Sequence, residues 1–169
     1  VIKAIKIPIE NMKSNITFNN ESMKLIAETS GGYPYFVQYI CKYTFDSFLA
    51  QYGQGTKDPS VPIPEIRAKL DTDFFAPKWG GVTNRERELL AVIATLPCKD
   101  GEFTIKEVIE KGDDVLVKPM GQTQVGALLS KLEVDNGLVF RTHRHGKYSL
   151  AVPMLADYIE RQNVLNPDP

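Results

Sequence analysis

The sequence predicts a mainly α-helical protein in two parts, with a β-hairpin near the end of the second part. The first part, residues 1–81, is predicted from helical spacing of apolar residues between Gly- and Pro-rich breaks. The second part, residues 82–169, is predicted from two capping-box sequences ahead of helical segments and from two alternating segments joined by a turn. A length of 169 residues suits one ordinary domain or two small ones, and the change of pattern favours two.

The beginning of the chain changes from alternation to helical spacing. "VIKAIKIPI" (residues 1–9) alternates apolar and basic residues, which indicates an edge strand or an incoming linker. "FNNESMKLIAETSGG" predicts a helix with Asn20 as its N-cap and Gly31 at its end. The apolar stripe of that helix consists of Met23, Ile26 and Ala27.

Pro34 marks the start of a second, longer helix, because proline has no N–H to lose at the first helical position. This helix is expected to run to about Tyr52 and to stop at Gly53. Its apolar face consists of Phe36, Val37, Ile40, Cys41, Thr44 and Phe48. A loop over residues 53–64 follows, and then a third helix that "PKWGG" (residues 77–81) breaks. The apolar positions of the third helix are Ile66, Leu70 and Phe74.

Three more helices are predicted in the second part. "TNRE" (residues 83–86) and "TIKE" (residues 104–107) are capping boxes that start the first two. A third helix should span about residues 121–136 and end at Gly137. The apolar positions are Leu89, Ile93 and Leu96 in the first, Ile105, Val108 and Ile109 in the second, and Val125, Leu128, Leu129 and Leu132 in the third.

A hairpin and a closing helix complete the second part. "LVFRT" and "KYSLAV" alternate as two strands, and residues 143–146 join them with Gly146 at the tip. Pro153 should open the last helix, "PMLADYIERQ". Three helices followed by a hairpin is the element order of a winged helix-turn-helix domain.

Composition limits the classes of function. The chain has 20 basic and 21 acidic residues, so nucleic-acid binding would need a local patch. No stretch approaches the roughly 18 apolar residues that cross a bilayer, and no secretory signal opens the chain, so a cytoplasmic protein without membrane contact is expected. Cys41 and Cys98 are expected to be free thiols. A start at Val1 suits a fragment of a longer protein, or a numbering convention.

Motifs for catalysis are missing from the sequence. It has no GxxxxGK[ST] phosphate loop, and no apolar strand that ends in Asp-Glu to hold magnesium. It also lacks GxSxG, HExxH and paired-cysteine metal spacing. His143 and His145 lie in the hairpin, which is a poor place for a buried base, and no third metal ligand accompanies them. We therefore expect no catalysis by this chain alone and no metal site.

Three passages carry a resemblance to a known family. "ETSGGYPYFVQ" resembles the Gly-x-Pro element in the helical lid of STAND and origin-recognition-like (archaeal-ATPase-like) AAA+ ATPases. "LDTDFFAPKWGGVTNRERELLAVIA" and "YSLAVPMLADYIERQ" are similar to the passage from lid to winged helix and to its close. The resemblance extends from about Ile9 to Gln162. It implies that the chain is the C-terminal part of an ATPase whose upstream core binds ATP and Mg²⁺.

The resemblance also implies a nucleotide contact. Gly32, Tyr33 and Pro34 would lie against the adenine of ATP held by the core. Many such lids place an arginine after this turn, but no basic residue occurs here before Lys42, so sensing of the γ-phosphate is not expected. The alternative interpretation is that the turn only joins two packed helices. Its aromatic residues, Tyr33, Tyr35, Phe36 and Tyr39, would then belong to the core.

The winged helix suggests contact with double-stranded DNA. A recognition helix lies in the major groove, and Gln and Thr side chains read base edges there. Residues 137–149 contain three basic residues, two histidines and no acid. Histidine protonation below pH ~6.5 would make this wing more positive. The candidate DNA-binding residues are Lys118, Gln122, Thr123, Gln124, Lys131, Arg141, His143, Arg144, His145 and Lys147.

Docking onto protein is the alternative role of this domain. Residues 83–152 contain ten basic and ten acidic residues, so phosphate contacts would be few and salt-labile. Winged helices also serve as protein-docking or autoinhibitory modules. The aromatic helix that begins at Pro34 would also expose an apolar surface toward the upstream core, which predicts some self-association without that core.

Overall fold

The computed structural model describes residues 1–11, 16–98 and 101–165, and it describes no side chains for residues 7–11. The chain divides into two compact units: Val1–Leu70 is unit 1 and Asp71–Pro169 is unit 2. Residues 71–81, which the sequence places in the first part, belong to unit 2. The protein is mainly helical, with a small three-stranded antiparallel sheet in unit 2. None of the helices in these ranges is long and apolar enough to span a bilayer.

The helices and strands follow one another with short connections. The helices are α1 (Ile2–Asn11), α2 (Asn20–Thr29), α3 (Pro34–Gly53), α4 (Ile63–Leu70), α5 (Ala76–Gly80), α6 (Asn84–Ala94), α7 (Ile105–Val115), α8 (Gln122–Lys131) and α9 (Leu155–Arg161). Two π-helical turns, Asp71–Phe75 and Leu132–Asn136, precede α5 and follow α8. The strands are β1 (Glu102–Thr104), β2 (Val139–Arg141) and β3 (Lys147–Leu150).

The strand or linker predicted at residues 1–9 is wrong, because α1 occupies these positions. Its side chain Ile5 is buried in the core of unit 1, while Lys3 and Lys6 on either side are exposed. In so short a stretch the apolar residues fit a helical period as well as an alternating one. Packing of α1 against α2 and α3 decides between the two.

The start of α2 is one residue earlier than predicted. Asn19, not Asn20, is the N-cap, and its side-chain oxygen accepts a hydrogen bond of 2.7 Å from the Ser22 N–H. The predicted end is confirmed, since Gly31 follows the helix with a left-handed φ of 56°. Pro34 begins α3 as predicted, in the first helical turn.

A π-helical turn changes which side chains after α4 are buried. Ile66 and Leu70 are buried as predicted, but the fully buried residue of the next turn is Phe75, and Phe74 is only half-buried. The wider turn over Asp71–Phe75 inserts one residue into the helical period, which advances the buried position by one.

The break predicted at residues 77–81 falls at the end of that stretch and not at Pro77. Because the π turn restarts the hydrogen-bond ladder, Pro77 falls in the first turn of α5, where its missing N–H costs nothing. The helix ends instead at Gly81, its C-cap.

Unit 2 is built around α6. Leu89, Leu90, Val92 and Ile93 are all buried, so this helix is apolar on nearly every side rather than on the single face predicted. It packs against α7, α8 and α9. A helix buried on all sides fixes the positions of its neighbours, because each of them packs on the same set of side chains.

Both predicted capping boxes are confirmed. The carboxylate of Glu86 accepts hydrogen bonds from the Thr83 N–H at 2.6 Å and from its hydroxyl at 2.8 Å. Glu107 does the same for Thr104, at 2.7 and 2.8 Å. The two boxes differ in burial, since Glu86 has no exposed surface whereas Glu107 is half-buried.

The sheet contains a strand that the sequence analysis did not predict. β1 pairs with β3, and β3 also pairs with β2, so the strand order is β1-β3-β2. Tyr148 of β3 lies between Phe103 of β1 and Arg141 of β2 in the register, and its ring stacks on Phe103 with centroids 6.2 Å apart. β1 has one apolar residue in three, too short a pattern to indicate a strand without its distant partner.

The two remaining boundaries need one correction. The helix that includes α8 and the following π turn ends at Gly137, in the left-handed region at φ 59°, as predicted. α9 begins at Leu155 rather than at Pro153, because Met154 takes a left-handed φ of 66° and forms the N-cap.

We expect the two capping boxes to differ in their contribution to stability. Thr104→Ala should lower the free energy of unfolding by about 1 kcal/mol, the usual value for an N-cap. Thr83→Ala should cost about 2 kcal/mol, because it also leaves the buried Glu86 carboxylate short of a donor. Urea denaturation of both variants measures the difference. Equal losses would mean that burial of Glu86 adds nothing to its cap.

Candidate functional site

The turn between α2 and α3 has a backbone that only small residues adopt easily. Gly31 and Gly32 have φ of 56° and 74°, both in the left-handed region. A Cβ on Gly32 would lie 3.1 Å from Cγ2 of Val1, so there is little space for a side chain. Tyr33 is the N-cap of α3 without a side-chain cap, and Pro34 follows it. The turn therefore presents Tyr33 and Pro34 at the surface of unit 1.

The aromatic residues at this turn fall into two groups. Phe36 is fully buried, whereas Tyr33 is 37% and Tyr35 is 45% exposed. The Tyr33 and Phe36 rings meet edge to face with centroids 5.2 Å apart. The core interpretation is therefore confirmed for Phe36, whereas Tyr33 and Tyr35 lie at the surface of unit 1.

A row of tyrosines continues from the turn along α3. The ring centroids of Tyr35 and Tyr39 are 6.0 Å apart, and those of Tyr39 and Tyr43 are 4.6 Å apart. Lys42 and Lys69 place their ammonium groups 5.4 and 5.0 Å from the centre of the Tyr43 ring. Lys42, the first basic residue after the turn, therefore lies against an aromatic ring.

The first turn of α8 brings together four of the predicted DNA-binding residues. Gln122, Thr123 and Gln124 are all exposed, and α8 has Gly121 as its N-cap with no side-chain cap. Lys118 is exposed in the loop just before the helix. No acidic residue occurs in α8. This end of the helix offers amides, a hydroxyl and one cation to a partner.

Four of the five lysines and arginines predicted to contact DNA face carboxylates of other elements. Arg141 lies 3.3 Å from Glu133 and donates to the Ser130 hydroxyl at 3.2 Å. Arg144 lies 3.4 Å from Glu102. The remaining two pairs are Lys131 with Glu86, at 2.9 Å, and Lys147 with Glu107, whose carboxylate it stabilises electrostatically. Residues 137–149 contain no acid, but acids from outside this stretch neutralise its charge.

The pair of Lys131 and Glu86 differs from the others because its carboxylate is buried. Oε2 of Glu86 accepts hydrogen bonds from Thr83. Oε1 lies 2.9 Å from the Lys131 ammonium, and no donor in the described residues reaches it with good hydrogen-bond geometry. Burial alone would raise the pKa of Glu86, but the Thr83 N–H, the Lys131 ammonium and the Thr83 hydroxyl together lower it. Lys131 cannot turn to a phosphate without leaving a buried charge uncompensated.

The two histidines do not form a metal site in the part of the chain that the structure describes. His143 and His145 are exposed in the loop between β2 and β3. No group of three or more metal-ligating side chains occurs in the described ranges. Both side chains remain at the surface of the hairpin, where they add donors or charge.

A small cavity lies between α6 and the end of α9. Its volume is about 110 Å³, and Ala91, Thr95 and Ile159 are among its lining residues. Pockets for drug-sized ligands or cofactors usually exceed about 300 Å³. The cavity is therefore too small for a nucleotide and is not part of either candidate site.

The sequence analysis missed the acidic residues of the site. Glu133 precedes Arg141 by eight residues, and Glu102 precedes Arg144 by 42. The first could have been found from the hairpin geometry, since Glu133 also accepts from the Arg141 backbone N–H at 3.0 Å. The second depends on β1, which was not predicted. No sequence signal indicated that pairing.

No family model, curated protein or solved structure matches the chain.

The lowered pKa of Glu86 makes stability depend on pH in a defined direction. Its pKa lies below the ordinary value of 4.5, so its contribution is present above pH 4.5 and is lost as pH falls through the folded-state pKa. Glu86→Gln should therefore be less stable than the wild type at neutral pH. Its free energy of unfolding should also fall less steeply than that of the wild type as the pH drops below 4.5. Urea denaturation from pH 7 to 3 measures this. The control Glu110→Gln, on an exposed pair with Lys106, should keep the wild-type slope.

Proposed function

We propose that the chain is the helical lid and winged-helix part of a STAND or origin-recognition-like AAA+ ATPase. In this proposal unit 1 responds to nucleotide in an upstream core, and unit 2 makes the contact that delivers the response. The observation that carries it is the strand pairing of unit 2. The strand after its first capped helix pairs with the second strand of the hairpin, as in a winged helix. ATP and Mg²⁺ would be held by the core.

The turn at Gly32 supports the role of unit 1. Its left-handed glycines allow the backbone to approach a ligand closely, and Tyr33 and Pro34 offer flat apolar surfaces at the exposed side. An adenine ring needs such a surface and no charge. The chain lacks an arginine after the turn, so the proposed response is closure on the base rather than recognition of the γ-phosphate.

We define the effector face as α8 with Lys118 in the loop before it, together with the hairpin of β2 and β3. Four of its five lysines and arginines face carboxylates, which leaves Lys118 as the cation without such a partner in the described residues. Since each phosphate contact contributes about 0.9 to the salt slope of DNA binding, this face would show only a shallow slope. Charge therefore favours a protein surface as its partner.

Apolar side chains beside the effector face also favour protein docking. Phe140 of β2 is 43% exposed and Val117, just before α8, is 99% exposed. Exposed aromatic and aliphatic groups among neutralised charges are typical of protein interfaces. We therefore propose that the effector face docks on protein, either in the parent ATPase or in a separate partner.

Contact with double-stranded DNA is the second candidate. It is favoured by the exposed Gln122, Thr123 and Gln124 in a helix turn without acids, since these side chains can read base edges. The pairs of Arg141 and Arg144 are exposed, and such pairs contribute only about 0–1 kcal/mol, so phosphates can compete for them.

We expect little binding of a mixed-sequence duplex by the wild-type chain, and much more once the hairpin arginines are freed. Glu102→Gln with Glu133→Gln should raise low-salt affinity about tenfold and steepen the salt slope by about 0.9 per arginine. Fluorescence anisotropy at low and physiological salt measures both. The control Glu110→Gln with Asp113→Gln removes the same charge from α7. Tight, salt-sensitive wild-type binding that Arg141→Ala with Arg144→Ala abolishes would establish the DNA candidate instead.

We expect Tyr33 to contribute to adenine binding in the longer protein that the proposal requires. Tyr33→Ala should weaken ATP binding about tenfold, the usual effect of losing one base-stacking aromatic ring. Tyr52→Ala is a matched control, since Tyr52 is 42% exposed at the other end of α3. Calorimetric titration of both variants, carried on the complete ATPase, measures the difference. Equal ATP affinity in the two variants would contradict the proposed contact between Tyr33 and adenine.

A further inference from the structure

Three consecutive side chains in the first turn of α6 reach three different parts of unit 2. They are Arg85, Glu86 and Arg87. Successive residues of a helix point about 100° apart, so neighbours in sequence can contact separate elements. The capping box fixes the same turn, which makes it a rigid base for all three contacts.

Arg85 holds the loop before α8. Its Nη2 donates to the carbonyl oxygens of Lys118 at 2.8 Å and Pro119 at 3.1 Å. Its Nη1 binds the carboxylate of Glu88, one turn further along α6. One guanidinium thus ties the start of α8 to α6, using donors in the fixed arrangement that only arginine has.

Glu86 holds the other end of α8. Its buried carboxylate lies 2.9 Å from the ammonium of Lys131, the last residue of that helix. Because the loop that leads into α8 and the last residue of α8 are both fastened to one turn of α6, the orientation of α8 follows from the position of that turn.

Arg87 connects this turn to α5. Its Nη2 donates to the Trp79 carbonyl at 3.1 Å, and its guanidinium lies 5.5 Å from the centre of the Trp79 ring. Nε of Arg87 is buried without a hydrogen-bond partner in the described residues. The Trp79 ring in turn meets Tyr158 of α9 edge to face.

We propose that the first turn of α6 couples α5 to α8. A displacement of α5, the helix through which the chain passes from unit 1 into α6, moves Arg87 and shifts Arg85 and Glu86 with it. Both ends of α8 then move together. Arg85 and Glu86 are positioning residues of the effector face, and Arg87 is the link to α5. Only the statement that α8 belongs to the effector face rests on the proposed function. The coupling itself involves contacts within unit 2 alone.

Hydrogen exchange on the complete chain tests the coupling from α5 to α8. Arg87→Gln should speed exchange at the helical amides of residues 125–132 at least threefold, with amides of α7 unchanged. A merely structural role would speed α7 and α8 alike. Lys106→Gln, which removes an exposed ion pair from α7, is the matched control and should leave α8 unchanged. Where Arg87→Gln does not fold, Arg87→Lys is measured, with the same expectation.

Trp79 provides the reverse test, because coupling between two sites is reciprocal and Trp79 is the only tryptophan in the chain. The side chain of Arg85 bonds to Lys118, Pro119 and Glu88 and not to Trp79. Arg85→Gln should nevertheless change the Trp79 emission spectrum, whereas Lys106→Gln should leave it unchanged. If Arg87→Gln speeds exchange equally across unit 2, or if Arg85→Gln leaves the Trp79 emission unchanged, the proposed coupling is wrong. Neither measurement uses DNA or a protein partner, so failure here is distinct from failure of the docking proposal.

Discussion

The arrangement of unit 2 depends on one buried carboxylate. The Glu86 carboxylate accepts the Thr83 N–H in the capping box of α6 and faces Lys131 at the end of α8. One charge thus caps one helix and anchors a second. A buried carboxylate is tolerated only when donors and a countercharge surround it. Thr83 supplies the donors and Lys131 the countercharge, which requires both residues to stay where they are. The apolar core packs around α6, and this interaction decides how α8 is oriented on it.

The same type of interaction limits what the effector face can bind. Glu133 and Glu102 orient Arg141 and Arg144 along the hairpin, but they also neutralise the charge that a phosphate backbone would need. Exposed pairs of this kind contribute little to stability. Their larger effect is on the charge of the surface, because each pair places a carboxylate beside an arginine where the sequence alone indicated a positive field. Unit 2 with this surface is better suited to a partner recognised by shape and apolar contact.

Predictions from the sequence succeeded where the signal was local. The two capping boxes, the start at Pro34 and the end at Gly137 depend on residues within four or five positions of one another, and the hairpin pairs residues at most eleven positions apart. The predictions failed where distant residues decide the outcome. β1 exists only by pairing with β3, and α1 is a helix because Ile5 has a core to enter. The π turn after α4 changes the period without any residue type that marks it, and the acidic partners of the hairpin arginines depend on strand pairing.

The turn at Gly32 combines a packing role with the exposure of an aromatic ring. Pro34 starts α3 and sends Phe36 into the core, a purely structural result. The left-handed glycines before it reverse the chain so sharply that Tyr33 is left at the surface, with its ring supported by Phe36. A ring supported from below loses little conformational freedom when a ligand stacks on it. At this position the buried ring of Phe36 therefore supports the exposed ring of Tyr33, which is the arrangement that the proposed adenine contact requires.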